Sequence, residues 1–126
     1  MNASTHLRQL RRAEIESADA PSVLLLLVNE AVRSAEAASL EDSGPAQRPL
    51  VDKSRRIVSE LAATLNADYA PEMAFNLLRL YLFINRRLLD SMNGDPTALS
   101  DALRILRHVR DTWEQAVPMA RREVVE

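Results

Sequence analysis

Between Pro71 and Asn93 the chain runs without an internal glycine or proline, and its apolar residues recur at intervals of three and four, the signature of one long amphipathic helix. Placed at about 100° per residue, Met73, Leu77, Leu80, Ile84, Tyr81, Leu88, Leu78, Leu89, Leu82 and Phe75 sweep roughly 220° of that helix. A helix this apolar needs cover on more than one side, from several neighbouring helices or from an outside partner. Arg86, Arg79, Asp90, Asn76 and Arg87, interrupted by Phe83, fill the remaining strip, which puts the adjacent arginines on the solvent side.

The rest of the chain supplies those neighbours. Its 126 residues fit one domain with a single core, and with only two glycines and an excess of Ala and Leu over β-branched and aromatic residues the composition favours helix. Prolines and glycines separate the periodic stretches. A first helix is expected from about Ala20 to Ala38, with Asp19 as N-cap and Pro21 in the opening turn. Residues 41–49 read as a solvated loop, a second helix covers about Leu50 to Asn66, and a third begins near Pro71. Asn93-Gly94-Asp95-Pro96 ends the third: Gly94 takes the left-handed cap, Asp95 caps the next helix and Pro96 opens it. A link this short makes helices three and four antiparallel, and the fourth runs to about Val117 before Pro118. The expected fold is all-α, an antiparallel four-helix bundle with room for a short fifth, N-terminal helix on Leu7, Leu10 and Ala13. Residues 1–18 form an N-terminal segment, 19–120 the bundle and 121–126 a charged tail.

Fifteen arginines and one lysine face eighteen acidic residues, so a formal charge of -2 gives no net pull toward nucleic acid or anionic lipid. The doublets Arg11-Arg12, Arg55-Arg56, Arg86-Arg87 and Arg121-Arg122 are interleaved with acids and lack an aromatic platform, so they read as solvated helix faces. The absence of cysteine excludes disulfides and thiol chemistry. His6 and His108 are far apart and read as solvated, and no phosphate loop or nucleophile elbow occurs. Neither a metal, a cofactor nor an enzymatic activity is expected. No apolar run is long enough for a signal peptide or a membrane span, which points to the cytosol. Trp113, with Val109 and Leu106, reads as core. Asn85, inside the apolar arc of the third helix, needs hydrogen-bond partners if covered. The first helix is also wide, with Leu26 left among polar neighbours. Two readings of the excess apolar surface stand equal on periodicity: a central bundle helix, or a groove for an amphipathic or unstructured peptide.

Residues 76–88, "NLLRLYLFINRRL", resemble the N-L-x-x-L-Y-x-x-x-x-R-R-L stretch of FliS, the flagellar export chaperone family. "ELAATLNADYAPEMA" at 60–74, "LLVNEAV" at 26–32, "IESADAP" at 15–21 and "LRHVRDTWEQA" at 106–116 resemble further segments of that family, in order. The family's paired glycines before the third helix are Ala70-Pro71 here, its Tyr-Asp-Gly on the first helix is Val28-Asn29-Glu30, and its N-terminal tyrosine is missing. The resemblance implies a cytosolic chaperone that binds the disordered C-terminal region of flagellin, prevents premature polymerisation and delivers it to the type III export apparatus, whose components are further partners. On that reading helices one and three are the walls of the groove, and Leu24, Leu27, Val28, Leu61, Tyr81, Ile84, Asn85, Leu88 and Leu89 are the client contacts. Leu7 and Leu10 would cover part of the groove in the absence of client. Monomer and homodimer both remain open. The alternative is a non-catalytic helical structural or adaptor protein that self-associates through the same surface or takes another client.

Overall fold

A computed structural model describes residues 20–65 and 71–125, and side chains from 22 to 115 within them. Four helices follow in order: α1 (Ala20–Ser39), α2 (Gly44–Ala63), α3 (Pro71–Met92) and α4 (Ala98–Val125). They form a ring in which α1 packs on α2 and α4, and α3 packs on the same two. The short connections make successive helices antiparallel, the up-down arrangement of a four-helix bundle. The segment 1–19, including Asp19, Leu7 and Leu10, lies outside the described residues.

This ring order corrects one expectation. α1 and α3 stand diagonally opposite with α2 and α4 between them, so they do not wall a common groove.

The core is built from one face of each helix. α1 contributes Leu27, Val28, Ala31, Val32, Ala35 and Ala38; α2 contributes Val51, Ile57, Val58 and Leu61; α3 contributes Tyr81, Ile84 and Leu88; α4 contributes Leu99, Ala102, Leu103, Leu106 and Val109. Each large side chain buried this way stabilises the fold by about 1.5–3 kcal/mol. Ala31, Ala35 and Ala38 of α1 are fully buried, and Ser54, wholly buried on α2, donates its hydroxyl to the Ala31 carbonyl at 2.9 Å. That bond removes the penalty of burying a hydroxyl. Around the rim, Lys53 pairs with Glu30 at 2.8 Å and Arg107 with Glu36 at 3.1 Å, tying α2 and α4 to α1.

The start of α2 and the end of α4 differ from the sequence reading. α2 starts at Gly44, within the stretch expected to be a loop. Ser43 caps it, accepting from the Ala46 N–H at 3.2 Å, and Pro45 sits in the first turn where its missing N–H is harmless. Pro49 removes one bond, to the carbonyl of Pro45; both prolines are exposed, so water can serve that carbonyl. α4 likewise continues through Pro118 to Val125, because one lost hydrogen bond does not outweigh helix-favouring residues on both sides.

The turn from α3 to α4 follows the sequence expectation at Gly94, but α4 begins at Ala98 and not at Pro96, so Asp95 caps the intervening turn and not the helix itself. Gly94 has φ +99°, and the N–H groups of Gly94 and Asp95 donate to the carbonyls of Ser91 and Asp90 at 3.1 and 3.0 Å. That pair of bonds is the Schellman closure of a helix end. The Asp95 carboxylate then accepts from the Thr97 N–H and hydroxyl, both at 3.0 Å, capping the turn that leads into α4 at Ala98.

Candidate functional site

Among the described residues α3 is covered only by α2 and α4, so part of its wide apolar arc stays exposed there. Seven large apolar side chains are exposed among the described residues, and five lie on α3: Met73, Phe75, Leu82, Phe83 and Leu89. Phe75 is 61 % exposed, Leu82 57 % and Leu89 44 %, and these three recur every seventh residue. Half-buried Leu78 and Asn85 fall between them, giving the alternation of a coiled-coil seam along the outside of the helix. Arg79 lies along this seam with its guanidinium 5.9 Å from the centre of the Phe75 ring. Arg86, with 79 % of its side chain exposed, follows one heptad later.

Asn85 joins the seam to α2. Its Nδ2 donates to Ser59 Oγ at 2.8 Å, while its Oδ1 is enclosed and accepts no hydrogen bond. On the other flank, Met73, Asn76, Leu77 and Leu80 of α3 meet His108 and Thr112 of α4 around an open cleft of about 390 Å³. Among the described residues no group of His, Cys, Asp or Glu is arranged to hold a metal. No described helix is long and apolar enough to cross a membrane.

The nine residues named as client contacts divide sharply. Leu27, Val28, Leu61, Tyr81, Ile84 and Leu88 are at most 1 % exposed and form one contiguous core. Leu24 and Asn85 are half-buried, and Leu89 alone is well exposed. Sequence reasoning missed Phe75, Leu82, Met73 and Phe83. The signal was present, since a ring of four helices encloses only part of a roughly 220° arc and Phe75, Leu82 and Met73 lie toward its edges, while Phe83 interrupts the polar strip.

The paired arginines also part company, against the expectation that both face solvent. Only 18 % of the Arg87 side chain is exposed. It donates to Asp90 at 3.0 Å, Asp95 at 3.1 Å and Asp101 at 2.9 Å, and touches the Thr97 hydroxyl at 3.3 Å. Arg87 therefore binds the end of α3, the turn and the start of α4 together. Desolvation alone would lower its pKa, but the three carboxylates outweigh it and hold the guanidinium more firmly charged than usual. Asp95 is held below the ordinary carboxylate range, first by the Thr97 N–H and hydroxyl and then by Arg87. At mid-helix, burial pushes the Tyr81 phenol up, with the hydrogen bond from Trp113 acting the other way.

The described residues thus form an all-α ring with a long apolar seam along one helix. A family model described as flagellar protein FliS matches residues 3–120. The chain belongs to the FliS family. Membership brings a flagellar chaperone role within a family of non-catalytic chaperones. Comparison with curated proteins and with solved structures gives no match. Two residues that carry the FliS resemblance in sequence, Tyr81 and Trp113, meet in space across α3 and α4.

Proposed function

We propose that this chain is a cytosolic export chaperone that binds the disordered C-terminal region of flagellin, keeps it from polymerising prematurely and assists its delivery to the flagellar type III export apparatus. The observation that carries the reading is the concentration of exposed apolar side chains on α3 of a FliS-family bundle. A disordered segment loses conformational entropy on docking and recovers it by burying apolar surface, on the order of 1,000–3,000 Å² in coupled folding and binding. An exposed stripe of Phe and Leu on a rigid helix meets that need without any catalytic group. The proposed contacts on α3 are Phe75, Leu78, Leu82, Asn85 and Leu89; Leu24 lies on α1, diagonally opposite, and is left out of this surface. Leu61 on α2 and Tyr81, Ile84 and Leu88 on α3 are buried in the core behind this surface, and Leu27 and Val28 belong to the same core from α1.

Calorimetric titration with a peptide of the flagellin C-terminal region tests the proposal. Binding in the micromolar range or tighter is expected, about -8 kcal/mol or better, with a negative heat-capacity change from apolar burial. A flat titration at tens of micromolar would sink the claim. A stable dimer without flagellin affinity would favour the self-associating alternative instead.

A further inference from the structure

We infer that the outer seam of α3 seats a partner segment as an amphipathic helix whose flanks are acidic. The inference deepens the client-binding reading and rests on it for the identity of the partner. The seam supplies the geometry: Phe75, Leu82 and Leu89 repeat every seventh residue with Leu78 and Asn85 between them. From Phe75 to Leu89 it spans about 21 Å at the usual helical rise, long enough for four turns of a docked helix. An extended strand has a two-residue repeat and cannot keep register with such a pattern, whereas a helix with apolar residues at positions a and d can.

Charge selects the occupant. Arg79 and Arg86 line the middle of the seam on one side. The acids nearest in sequence are Glu72 beyond one end and Asp90 at the other; Asp90 is held closely by Arg87 at 3.0 Å and reaches Arg86 only at 3.9 Å, so the 79 % exposed Arg86 side chain keeps room for a further partner. A helix bearing Glu or Asp opposite Arg79 and Arg86 gains two complementary pairs. A second copy of this chain does not satisfy them, because antiparallel pairing of two identical seams brings each Arg79 and Arg86 toward the same residues of the other. Within the chain's own residues 1–19, Leu7 and Leu10 are close in sequence to Arg8, Arg11 and Arg12, and the acids Glu14, Glu16 and Asp19 come only after that leucine pair, a poorer match.

The test uses the full chain and two synthetic three-heptad peptides with leucine at positions a and d, one flanked by glutamate and one by lysine, read by fluorescence anisotropy at low salt. The glutamate peptide is expected to bind at least tenfold more tightly than the lysine peptide. The R79E/R86E double variant should reverse that preference, and Leu82→Ser should weaken the glutamate peptide at least tenfold. All three substitutions are at exposed positions, and an unchanged thermal melt verifies the fold. Equal affinity for the two peptides, or no binding of the glutamate peptide at tens of micromolar, overturns the inference. So does a wild-type dimer that Leu82→Ser dissociates, because the seam is then filled by a second copy. Flagellin binding that is the same in wild type and variants removes this seat but leaves the client reading. A flat flagellin titration beside selective capture of the acidic peptide removes flagellin as the client and keeps the seat.

Discussion

The indole N–H of Trp113 donates to the phenolic oxygen of Tyr81 over 3.3 Å, joining α4 to the middle of α3. Tyr81 is the largest fully buried side chain among the described residues, and Trp113 packs half-buried against the same core. The bond fixes the orientation of a ring whose back supports the exposed seam. It also explains why the fold tolerates a phenol there: burial of the ring is offset by an N–H partner for its oxygen.

Removing that oxygen should be felt in two ways. Tyr81→Phe leaves the Trp113 N–H without its acceptor, at an expected cost of about 1 kcal/mol, measurable by denaturant unfolding. Because burial raises the folded-state pKa of Tyr81, its contribution is fully present below the ordinary phenol value near 10 and is lost as pH rises through the folded value. Stability of the wild type should therefore fall above about pH 10 more steeply than that of Tyr81→Phe. Parallel alkaline slopes for the two proteins would contradict the assignment.

The two glycines predict opposite behaviour. Gly94 has φ +99°, so Gly94→Ala forces an L-residue into the left-handed region and should cost roughly 1–2 kcal/mol. Gly44 opens α2 with open space around it, and Gly44→Ala should be neutral or stabilise by up to about 1 kcal/mol. Denaturation midpoints of the two variants distinguish a turn that needs glycine from a helix start that does not. Similar losses in both would show that the Schellman closure is dispensable.

Arg87 and Arg86 offer a second matched pair. Arg87→Ala strips three carboxylates of a shared partner and should lower the melting temperature and speed amide exchange in residues 93–97, whereas Arg86→Ala, whose pairing with Asp90 is at 3.9 Å, should leave both unchanged. The pH dependence has a definite sign. The folded pKa of Asp95 is depressed, so its contribution is present above the ordinary carboxylate value near 4 and disappears as pH falls through the folded value. Acid unfolding should begin at higher pH in Thr97→Val, which keeps the N–H but loses the hydroxyl, than in wild type. A wild-type acid transition retained in that variant would refute the role of Thr97.

Much of this molecule is legible in its sequence because local chemistry decides it. The stop at Gly94 and the apolar periods of all four helices need only neighbouring residues. Tyr81 and Trp113 could be singled out together because they recur in the FliS pattern. What periodicity cannot supply is where the neighbours of a helix stand. The ring places α2 and α4 against α3, so Tyr81, Ile84 and Leu88 become core while Phe75, Leu82 and Leu89 stay outside. Arg87 misled for a related reason: on a helical wheel it belongs to the polar strip, and only the reversal of the chain at Gly94 carries Asp95 and Asp101 to it. At α2, prolines 45 and 49 read as breakers, but a serine cap placed the first of them in an opening turn where proline is at home.

Asn85 gives the last prediction, because it is the polar interruption of the apolar seam. One of its amide groups is satisfied by Ser59 at 2.8 Å and the other, the enclosed Oδ1, by nothing. A half-satisfied buried amide is a poor contributor to stability, and replacing it by an apolar group of similar size is close to neutral or favourable. Asn85→Leu should thus unfold within about 1 kcal/mol of wild type or be more stable. Its other effect is on association. A single asparagine in a seam weakens pairing and limits which registers and partners are accepted. Replacing it with leucine leaves the row from Phe75 through Leu78 and Leu82 to Leu89 apolar without a break, which should promote self-association. Sedimentation velocity over a range of concentrations reads this directly. A variant that is destabilised, or that associates no more than wild type, would show that Asn85 is a structural tie to α2 and has no part in keeping the seam selective.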